Sequence, residues 1–367
     1  MENIKIKNNY VSCPHIGLKN IWPNSYMNAI LQCFCNIEKF VNFFKYISKI
    51  ECNKNNLSSS FKLLIDIMWP NDLDSTIKYC APEQFKNKIS KFNKLFTGLV
   101  SNDLKYLIKF VILTLHEELN NKSEKINIYS NLDQTNKNIV FQAFIEDFAR
   151  RNHSIISDLF YSVNCSIVKC CTCNIEIYNY QIYFFFNFPI EEVYKYKIQY
   201  YNDINQFNSI NTQNKFINND NIVNIYHCFD YYIKRKYMTG EDTMYCDYCK
   251  ITGNFLISTY LVTGPQILIL LFNSGKVTES NIKIYFEENL NLSNYIEYKN
   301  TGCNYKLIGL ITYIKENNKS GKYIAYCKDP INSEWYKYND EIVNKVNFQA
   351  INSVVPYLIL YEKVDGC

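Results

Sequence analysis

The spacing of apolar residues divides the chain into a helical first part and a β-rich second part. Just after Asn24, four apolar side chains recur at the spacing of one buried helical face, namely Met27, Ile30, Leu31 and Phe34. Similar spacing predicts helices over 61–69, near 81–85 and over 101–119, with Pro70 ending the first of them and Pro82 in the first turn of the second. Residues 1–120 are therefore predicted to be mainly helical.

From Phe160 onward, apolar residues come in short runs that are rich in β-branched and aromatic side chains, which is typical of strands. These runs are bounded by Gly, Pro and Asn and lie at 181–186, 255–260, 266–271, 305–313, 323–326 and 357–361. Two polar stretches, 120–138 and 201–224, are predicted to be surface insertions. A helical part followed by a mainly β part predicts an α+β architecture.

Composition indicates a folded protein without the basic clusters of nucleic-acid-binding proteins or the long apolar runs of membrane spans. With 367 residues, 47% of them hydrophobic, the chain can bury a large core as one domain or two packed ones. Its 39 basic and 35 acidic side chains are dispersed, so direct nucleic-acid binding is not expected. Residues 1–10 lack a signal-peptide core, and no apolar run approaches the ~18 residues of a membrane span. The expected location is the nucleus or the cytoplasm.

Two Cys-x-x-Cys pairs predict a structural zinc site. The chain has 15 cysteines, an odd number that favours free thiols and metal ligands over a disulfide framework. Two pairs can complete the four-thiolate tetrahedron that structural Zn²⁺ prefers, and the predicted ligands are Cys170, Cys173, Cys246 and Cys249. Such a closed shell leaves no position for a reacting water. The alternatives are free, partly buried cysteines, or His227 or Cys228 as a substitute ligand; Cys171 is the spare thiol.

Ser25 falls at the start of the first predicted helix, a position where a cysteine would be reactive. Unpaired backbone N–H groups and the positive end of the helix dipole meet there, and both would acidify a thiol. The residue is nevertheless a serine.

Two stretches resemble sequence motifs of the ubiquitin-specific proteases, the papain-like family of deubiquitinating enzymes. Residues 17–32 resemble the cysteine box, with matches at Gly17, Leu18, Asn20, Tyr26, Met27 and Asn28. By this resemblance Ser25 stands at the nucleophile position and Asn20 at the oxyanion-hole position. The second stretch resembles the histidine box, with matches at Gly321, Tyr323, Trp335, Asn339 and Asp340. There Lys322 stands at the position of the base and Asn339 at that of the residue that orients it.

The resemblance covers nearly the whole chain and implies a papain-like cysteine-protease fold of the ubiquitin-specific protease type. In that fold a helical thumb, β fingers with a structural zinc and a β palm make one domain. Here they would occupy about 17–155, 156–262 and 263–364, after an N-terminal extension over 1–16. The implied substrate-binding residues are Asp103, Gly321 and Tyr323. Tyr106 replaces a family glutamate that helps to hold the cationic tail of ubiquitin, so weak ubiquitin binding is expected.

Replacement of both proton-handling residues predicts an inactive member of this family. A serine hydroxyl becomes nucleophilic only beside a base, and loss of nucleophile or base in a serine protease costs roughly 10⁶-fold in turnover. A dyad of Ser25 and Lys322 would need a neutral lysine, whereas nearby Asp340 favours the ammonium. The four histidines are interpreted as ordinary core or surface residues, namely His15, His116, His153 and His227.

A finer resemblance concerns an inactive family member associated with the U4/U6.U5 tri-snRNP. The shared features are the dipeptides at 20–21, 28–29 and 36–37, Asn24 before the nucleophile position, and the missing histidine. This resemblance implies a protein-interaction scaffold in pre-mRNA splicing, located in the nucleus, with tri-snRNP proteins as partners. The alternatives are a ubiquitin-binding pseudo-deubiquitinase outside the spliceosome and an active hydrolase with an unusual Ser–Lys site.

Overall fold

A computed structural model gives the fold of most of the chain. It describes residues 14–21, 24–51, 55–71, 77–97, 104–121, 133–208, 221–273, 282–298, 302–315 and 321–364, with the backbone alone over 201–208. The chain divides into two compact units. The first comprises residues 1–120, 154–157 and 307–361, and the second comprises 121–153, 158–306 and 362–367. Helices and strands are numbered along the whole chain.

The first unit combines helices with a five-stranded antiparallel sheet. Its helices are α1 (Ser25–Cys35), α2 (Glu38–Asn42), α3 (Leu57–Met68), α4 (Glu83–Phe92), α5 (Leu104–Leu119) and α10 (Phe348–Asn352). The sheet has the order β17-β16-β15-β14-β18, with bounds β14 (Asn304–Lys315), β15 (Gly321–Lys328), β16 (Trp335–Asn339), β17 (Ile342–Val346) and β18 (Pro356–Lys363). A small parallel pair is formed by β1 (Gly17–Leu18) and β2 (Tyr79–Cys80).

Helix α1 is the centre of the first unit. Every residue from Ser25 to Cys35 is buried, because the helix packs on β15 on one side and on α2 and α5 on others. A helix that is covered all round must carry apolar or small residues on all faces, as α1 mostly does. The contact with the sheet is close, since Cys33 Sγ on α1 lies 3.9 Å from Cys327 Sγ on β15. The first residue of α1 is thereby fixed relative to β15.

Strand β1 lies against the two-residue turn between β16 and β17. The N–H of Leu18 donates to the carbonyl oxygen of Asp340 at 2.9 Å. A Cβ on Gly17 would lie 2.5 Å from the carbonyl oxygen of Glu341 and within 2.8 Å of its Cα. Only a glycine permits this approach, because the nearby atoms of Glu341 belong to the backbone and cannot move aside by rotation of a side chain.

Replacing Gly17 therefore provides a test of this contact. We expect Gly17→Ala to lower the free energy of unfolding by about 1–3 kcal/mol, the usual cost of forcing an extra methyl group into a packed region. Urea denaturation monitored by circular dichroism measures the change. Gly309→Ala on β14 is the matched control, because its Cβ would meet nothing closer than 3.4 Å. Equal stability of the two variants would contradict the close contact between Gly17 and the backbone of Glu341.

The described residues of the second unit form four α-helices, or parts of them, and mostly short strands. Its helices are α6 (Lys137–Arg151), the end of α7 (Ile155–Phe160), α8 (Ile190–Asn208) and α9 (Ile225–Ile233). The strands are β3 (Ser162–Cys170), β4 (Glu176–Tyr183), β5 (Phe186–Pro189), β6 (Ile222–Asn224), β7 (Lys236–Met238), β8 (Met244–Tyr245), β9 (Thr252–Gly253), β10 (Phe255–Leu261), β11 (Ile267–Asn273), β12 (Lys283–Tyr285) and β13 (Asn289–Asn291).

A four-stranded antiparallel sheet with the order β4-β3-β10-β7 organises this unit. Helix α6 covers one of its faces, where Val140 and Phe144 pack on Cys165 and Tyr180. The far end of the sheet carries the hairpin of β8 and β9 and the four cysteines of the predicted zinc site. Strands β5 and β11 pair in parallel, as do β6 and β12, and β13 pairs with the start of β14.

The α+β prediction is confirmed, with local corrections. The predicted strands are present, but the run at 181–186 is broken after Tyr183, and β5 begins only at Phe186. Pro82 is the N-cap of α4 and lies just before its first turn. The predicted insertion at 201–224 is wrong over 201–208, which belongs to α8, and over 222–224, which forms β6. The one at 120–138 is wrong over 137–138, which begins α6.

The physical reason for the error over α8 is its composition. The buried positions Ile190, Val193 and Lys197 keep a helical spacing, but many polar residues surround them and hide the periodicity. Among the described residues, no helix has both the length and the apolar character needed to cross a membrane.

Candidate active site and zinc knuckles

Ser25 lies at the first turn of α1 and is only 4% exposed. Asn24 is the N-cap, and its backbone N–H donates to Asn20 Oδ1 at 3.1 Å, which ties the loop before α1 to the helix start. The Ser25 hydroxyl oxygen accepts the backbone N–H of Tyr323, on β15, at 3.1 Å. No other residue in the described part of the chain is hydrogen-bonded to Ser25 Oγ, so the hydroxyl has no base beside it.

Asp340 connects most of the polar side chains at this site. It lies in the turn after β16 with φ of 52°, a left-handed conformation that Asp and Asn tolerate better than most residues. Its Oδ1 accepts Asn28 Nδ2 at 2.9 Å, and its Oδ2 accepts Asn20 Nδ2 at 3.1 Å. Lys322 Nζ lies 3.5 Å from the same Oδ2. One carboxylate therefore links β1, α1, β15 and the β16–β17 turn.

Lys322, at the predicted base position, makes an ion pair and is not hydrogen-bonded to the residue at the nucleophile position. Its side chain is 28% exposed while that of Asp340 is 8% exposed, so the pair is partly shielded from water. No hydrogen bond joins Lys322 Nζ to Ser25 Oγ in the described structure. An ammonium held on a carboxylate has only N–H donors and cannot accept the Ser25 proton.

Asn339, at the predicted orienting position, has an amide oxygen that no donor reaches. Its Oδ1 is buried and accepts no hydrogen bond from the described residues. An asparagine in this role would orient a base by accepting its N–H through this oxygen. The Lys322 ammonium is instead paired with the neighbouring Asp340.

Two of the three predicted substrate-binding residues, Gly321 and Tyr323, are closely packed in the structure. Gly321 begins β15, and a Cβ there would lie 2.5 Å from the Tyr313 ring. Tyr323 is 8% exposed and packs against the rings of Tyr313 and Tyr357 at 5.0 and 5.2 Å. Asp103 lies outside the described residues. Tyr106, at the position of a family glutamate, is 59% exposed on α5.

None of the histidines is hydrogen-bonded to Ser25. His15 Nε2 lies 3.4 Å from the buried carboxylate of Asp329, Nδ1 lies 3.3 Å from the Tyr338 hydroxyl, and the ring stacks on Tyr336 at 3.5 Å. These contacts anchor the segment before β1. Sequence reasoning missed this cluster, because nothing in the spacing of the two segments indicates that they meet.

Two further histidines have structural partners within their own units. His116 Nδ1 lies 2.8 Å from Ser154 Oγ inside the first unit. His227 completes a capping box at the start of α9, where its Nδ1 accepts the Asn224 N–H and its own N–H donates to Asn224 Oδ1. Burial lowers the pKa of His227 to about 4, so its ring is neutral at physiological pH.

The four cysteines predicted as zinc ligands come together in the second unit. The sulfur atoms of Cys170, Cys173, Cys246 and Cys249 all lie within 4.8 Å of one another. Two of the separations are 4.0 Å and 3.7 Å. Four thiolates at the Zn–S distance of about 2.3 Å in a tetrahedron lie about 3.8 Å apart, so the cluster fits a zinc ion. Neither Cys228 nor Cys171 belongs to this cluster.

The two Cys-x-x-Cys pairs have the same backbone geometry. In each, the residue after the second cysteine has a positive φ, 60° at Asn174 and 59° at Lys250. Its N–H donates to the carbonyl oxygen of the first cysteine, at 2.9 Å in one pair and 2.8 Å in the other. This tight turn directs both sulfurs of a pair towards the other pair. The exposed Cys171 lies within the first knuckle and outside the cluster.

Two thiols of the cluster have pKa values that are shifted in opposite directions. Backbone N–H groups of Cys173 and Thr172 lower the pKa of Cys170 to about 6. Desolvation and the neighbouring sulfurs raise the pKa of Cys249 to about 12. Zinc binds cysteines as thiolates, so metal binding would release protons from this cluster. Zinc affinity is accordingly expected to fall as the pH is lowered.

Comparison with known proteins identifies the family. The family model described as ubiquitin carboxyl-terminal hydrolase matches residues 16–361. The chain belongs to the ubiquitin carboxyl-terminal hydrolase family. Ubiquitin carboxyl-terminal hydrolase Usp2 of Drosophila melanogaster is 22% identical over 359 residues, covering 95% of this chain and 34% of the relative. Ubiquitin carboxyl-terminal hydrolase 21 of Homo sapiens is 21% identical, covering 95% of this chain and 61% of the relative.

Solved structures support the same fold. The SAGA DUB module Ubp8/Sgf11/Sus1/Sgf73 bound to monoubiquitin contains a chain with a TM-score of 0.68 at 18% identity, covering 98% of this chain and 71% of that one. The same module bound to ubiquitin aldehyde gives a TM-score of 0.65 at 17% identity. The predicted ubiquitin-specific protease fold is therefore confirmed. This chain spans about a third of the length of the Drosophila relative and 54% of that of the Bos taurus ubiquitin carboxyl-terminal hydrolase 2.

Within this family fold, the division into thumb, fingers and palm stays a prediction, as do the roles of the site residues. The cysteine cluster fits the structural zinc that the resemblance implied. A zinc ion bound there would have a structural role, because four protein sulfurs leave no open coordination position.

Proposed function

We propose that this chain is a catalytically inactive member of the ubiquitin carboxyl-terminal hydrolase family that acts as a protein-interaction scaffold. The observation that carries the proposal is the pairing of Lys322 with Asp340, which leaves the Ser25 hydroxyl without a base. A serine without a base has a turnover roughly 10⁶-fold lower than that of an intact site. No arrangement of Asn20 or Asn339 offsets that loss, because neither amide accepts a proton at neutral pH.

The alternative of a Ser–Lys hydrolase is not supported by these contacts. A lysine that serves as a base must be neutral and within hydrogen-bonding distance of the hydroxyl. Lys322 fails the second condition, because its Nζ is paired with Asp340 and is not hydrogen-bonded to Ser25 Oγ. Ser25 Oγ already accepts the N–H of Tyr323, which further reduces its nucleophilicity.

Ubiquitin is the partner that the proposal favours, with weak affinity. The solved structures of similar fold hold monoubiquitin or ubiquitin aldehyde. In this chain, the face of the four-stranded sheet opposite α6 carries a half-buried apolar row of Ile257, Val168 and Ile177, each paired with the next across the strands. Such a row offers apolar area to a folded protein partner.

Two assays on the purified full chain test the proposal. With a fluorogenic C-terminal derivative of ubiquitin, we expect no turnover above the uncatalysed rate, because the base is missing. Calorimetric titration of ubiquitin is expected to give weak binding. Turnover that disappears in Ser25→Ala would overturn the claim of inactivity, and absence of binding would remove ubiquitin as a partner.

A splicing scaffold is the second candidate. It is favoured by the sequence pattern around Asn20, Asn24 and Asn28, and by the lysine at the histidine position, both of which resemble the inactive member associated with the U4/U6.U5 tri-snRNP. Under this candidate the chain works in the nucleus and its partners are tri-snRNP proteins. Purification of the tagged chain from its own cells is expected to recover these proteins, and recovery of ubiquitin alone would exclude the splicing role.

A further inference from the structure

The N-terminus of α1 holds several hydrogen-bond donors without acceptors. Asn24 is 2% exposed, and its Nδ2 is buried and donates to none of the described residues. The backbone N–H of Ser25 has no acceptor there either, and the Ser25 hydroxyl, which accepts from Tyr323, has its own proton free to donate. A buried donor without an acceptor costs free energy, so these three groups together favour a ligand that supplies acceptors.

The charges at the site favour a negatively charged ligand. The first turn of α1, an 11-residue helix, contributes the positive end of its dipole. The Lys322 ammonium has three N–H donors, and the one ion pair that it forms with a described residue, Asp340, leaves others available at a side chain that is 28% exposed. Asp340 is already occupied by Asn20, Asn28 and Lys322. Within the described part of the chain, Asn28 and Asn339 at this site each have a buried amide oxygen that accepts no hydrogen bond, and both oxygens are neutral.

We infer that this site recognises the free C-terminal carboxylate of ubiquitin and discriminates against ubiquitin that is joined to another protein. This inference rests on the proposed function, which makes ubiquitin the partner. A free tail ends in a carboxylate, which accepts from the Ser25 and Asn24 donors and pairs with Lys322. A conjugated tail ends in a neutral amide, which offers Lys322 no second anion beside Asp340 and adds bulk where the buried Ser25 lies. Replacement of a base by an ammonium would thus convert a cleavage site into a site for the free tail.

A comparison of two forms of ubiquitin tests the inference. Calorimetric titration of the full chain uses ubiquitin with its free C-terminus and ubiquitin whose C-terminal carboxylate has been converted to a primary amide. We expect the free form to bind about tenfold more tightly or better, the size of one charge-assisted hydrogen bond. The preference is expected to weaken as the salt concentration rises, because it depends on charge.

Variants at Lys322 separate recognition from folding. Lys322→Met is expected to reduce the preference to about twofold or less, whereas Lys322→Arg, which keeps the charge, is expected to retain it. The matched control is Lys345→Met, which removes an exposed lysine that is ion-paired with Glu334 on the same sheet. Thermal unfolding of each variant identifies any that fails to fold.

The outcomes distinguish this inference from the proposed function. Equal affinity for the two forms, or a preference that survives Lys322→Met in a folded variant, would overturn the inference alone. If neither form binds, ubiquitin is not the partner, and the inference fails together with the ubiquitin part of the proposed function, while the claim of inactivity is decided separately by the turnover assay. A preference that is lost in Lys322→Met and kept in Lys322→Arg and Lys345→Met supports the assignment.

Discussion

Ser25→Cys combined with Lys322→His is expected to give the chain measurable hydrolytic activity on a fluorogenic ubiquitin derivative. Each change supplies one missing part of the site. A cysteine at the start of α1 meets the helix dipole and the backbone N–H groups that lower a thiol pKa. A histidine on β15 supplies a base that changes charge near neutral pH.

The surrounding groups are placed to receive these two side chains. Asn339 Oδ1 is buried without a donor and can accept the N–H of an imidazole at position 322. Asn20 is already held by Asp340 and by the Asn24 N–H, so its amide is oriented before any substrate arrives. We therefore expect the double variant to exceed Ser25→Cys alone by about 10²- to 10⁴-fold in turnover, the usual contribution of a general base.

Initial rates at several pH values measure this effect. The double variant is expected to show a rate that rises with pH through the pKa of the new base, whereas Ser25→Cys alone stays near the background rate. Lys322→His without the cysteine is the control for the nucleophile. If both single variants and the double variant remain equally inactive, the loss of activity lies elsewhere than in Ser25 and Lys322.

Cys246→Ser is expected to unfold the second unit. Structural zinc sites contribute apparent free energies of about 10–16 kcal/mol, comparable to or greater than the whole stability of a typical domain. Cys246 is 3% exposed and packs on Cys170 and Phe255, so loss of the metal also loosens the end of the four-stranded sheet. We expect hydrogen exchange in β3 and β10 to lose its protection, and elemental analysis to find no bound zinc in this variant.

Cys171→Ser is the matched control for the zinc prediction. It removes a thiol from the same knuckle, but this thiol is exposed and lies outside the four-sulfur cluster. The control is expected to bind one zinc ion per chain and to unfold at the temperature of the unsubstituted chain. A Cys246→Ser variant that keeps its protection, or a chain that contains no zinc when purified intact, would contradict a structural metal.

Much of the fold could be predicted from the sequence because its signals are local. The apolar spacing after Asn24 indicates α1, and the short β-branched runs indicate most of the longer strands. The zinc cluster could also be predicted, because a Cys-x-x-Cys pair presents two sulfurs within one turn of backbone and needs only one other pair. Helix α8 could not be predicted, since its buried positions are separated by many polar residues.

The contacts of the site could not be predicted in full, because they join segments far apart in the chain. The sequence motifs identify Ser25, Lys322 and Asn339, but they do not indicate which neighbour each side chain contacts. Lys322 could have turned towards Ser25, and only the fold shows that it pairs with Asp340. The contact of His15 with Asp329 depends in the same way on two loops that meet only after folding.

The contacts of Asp340 have a consequence for how such a site changes during evolution. Its carboxylate binds Asn20, Asn28 and Lys322, and its carbonyl oxygen binds Leu18. Substitutions at these positions are therefore expected to lower the stability of the fold, independently of any catalytic role. Selection for folding alone is therefore expected to preserve the geometry around Ser25 and Lys322, whether or not the site catalyses a reaction.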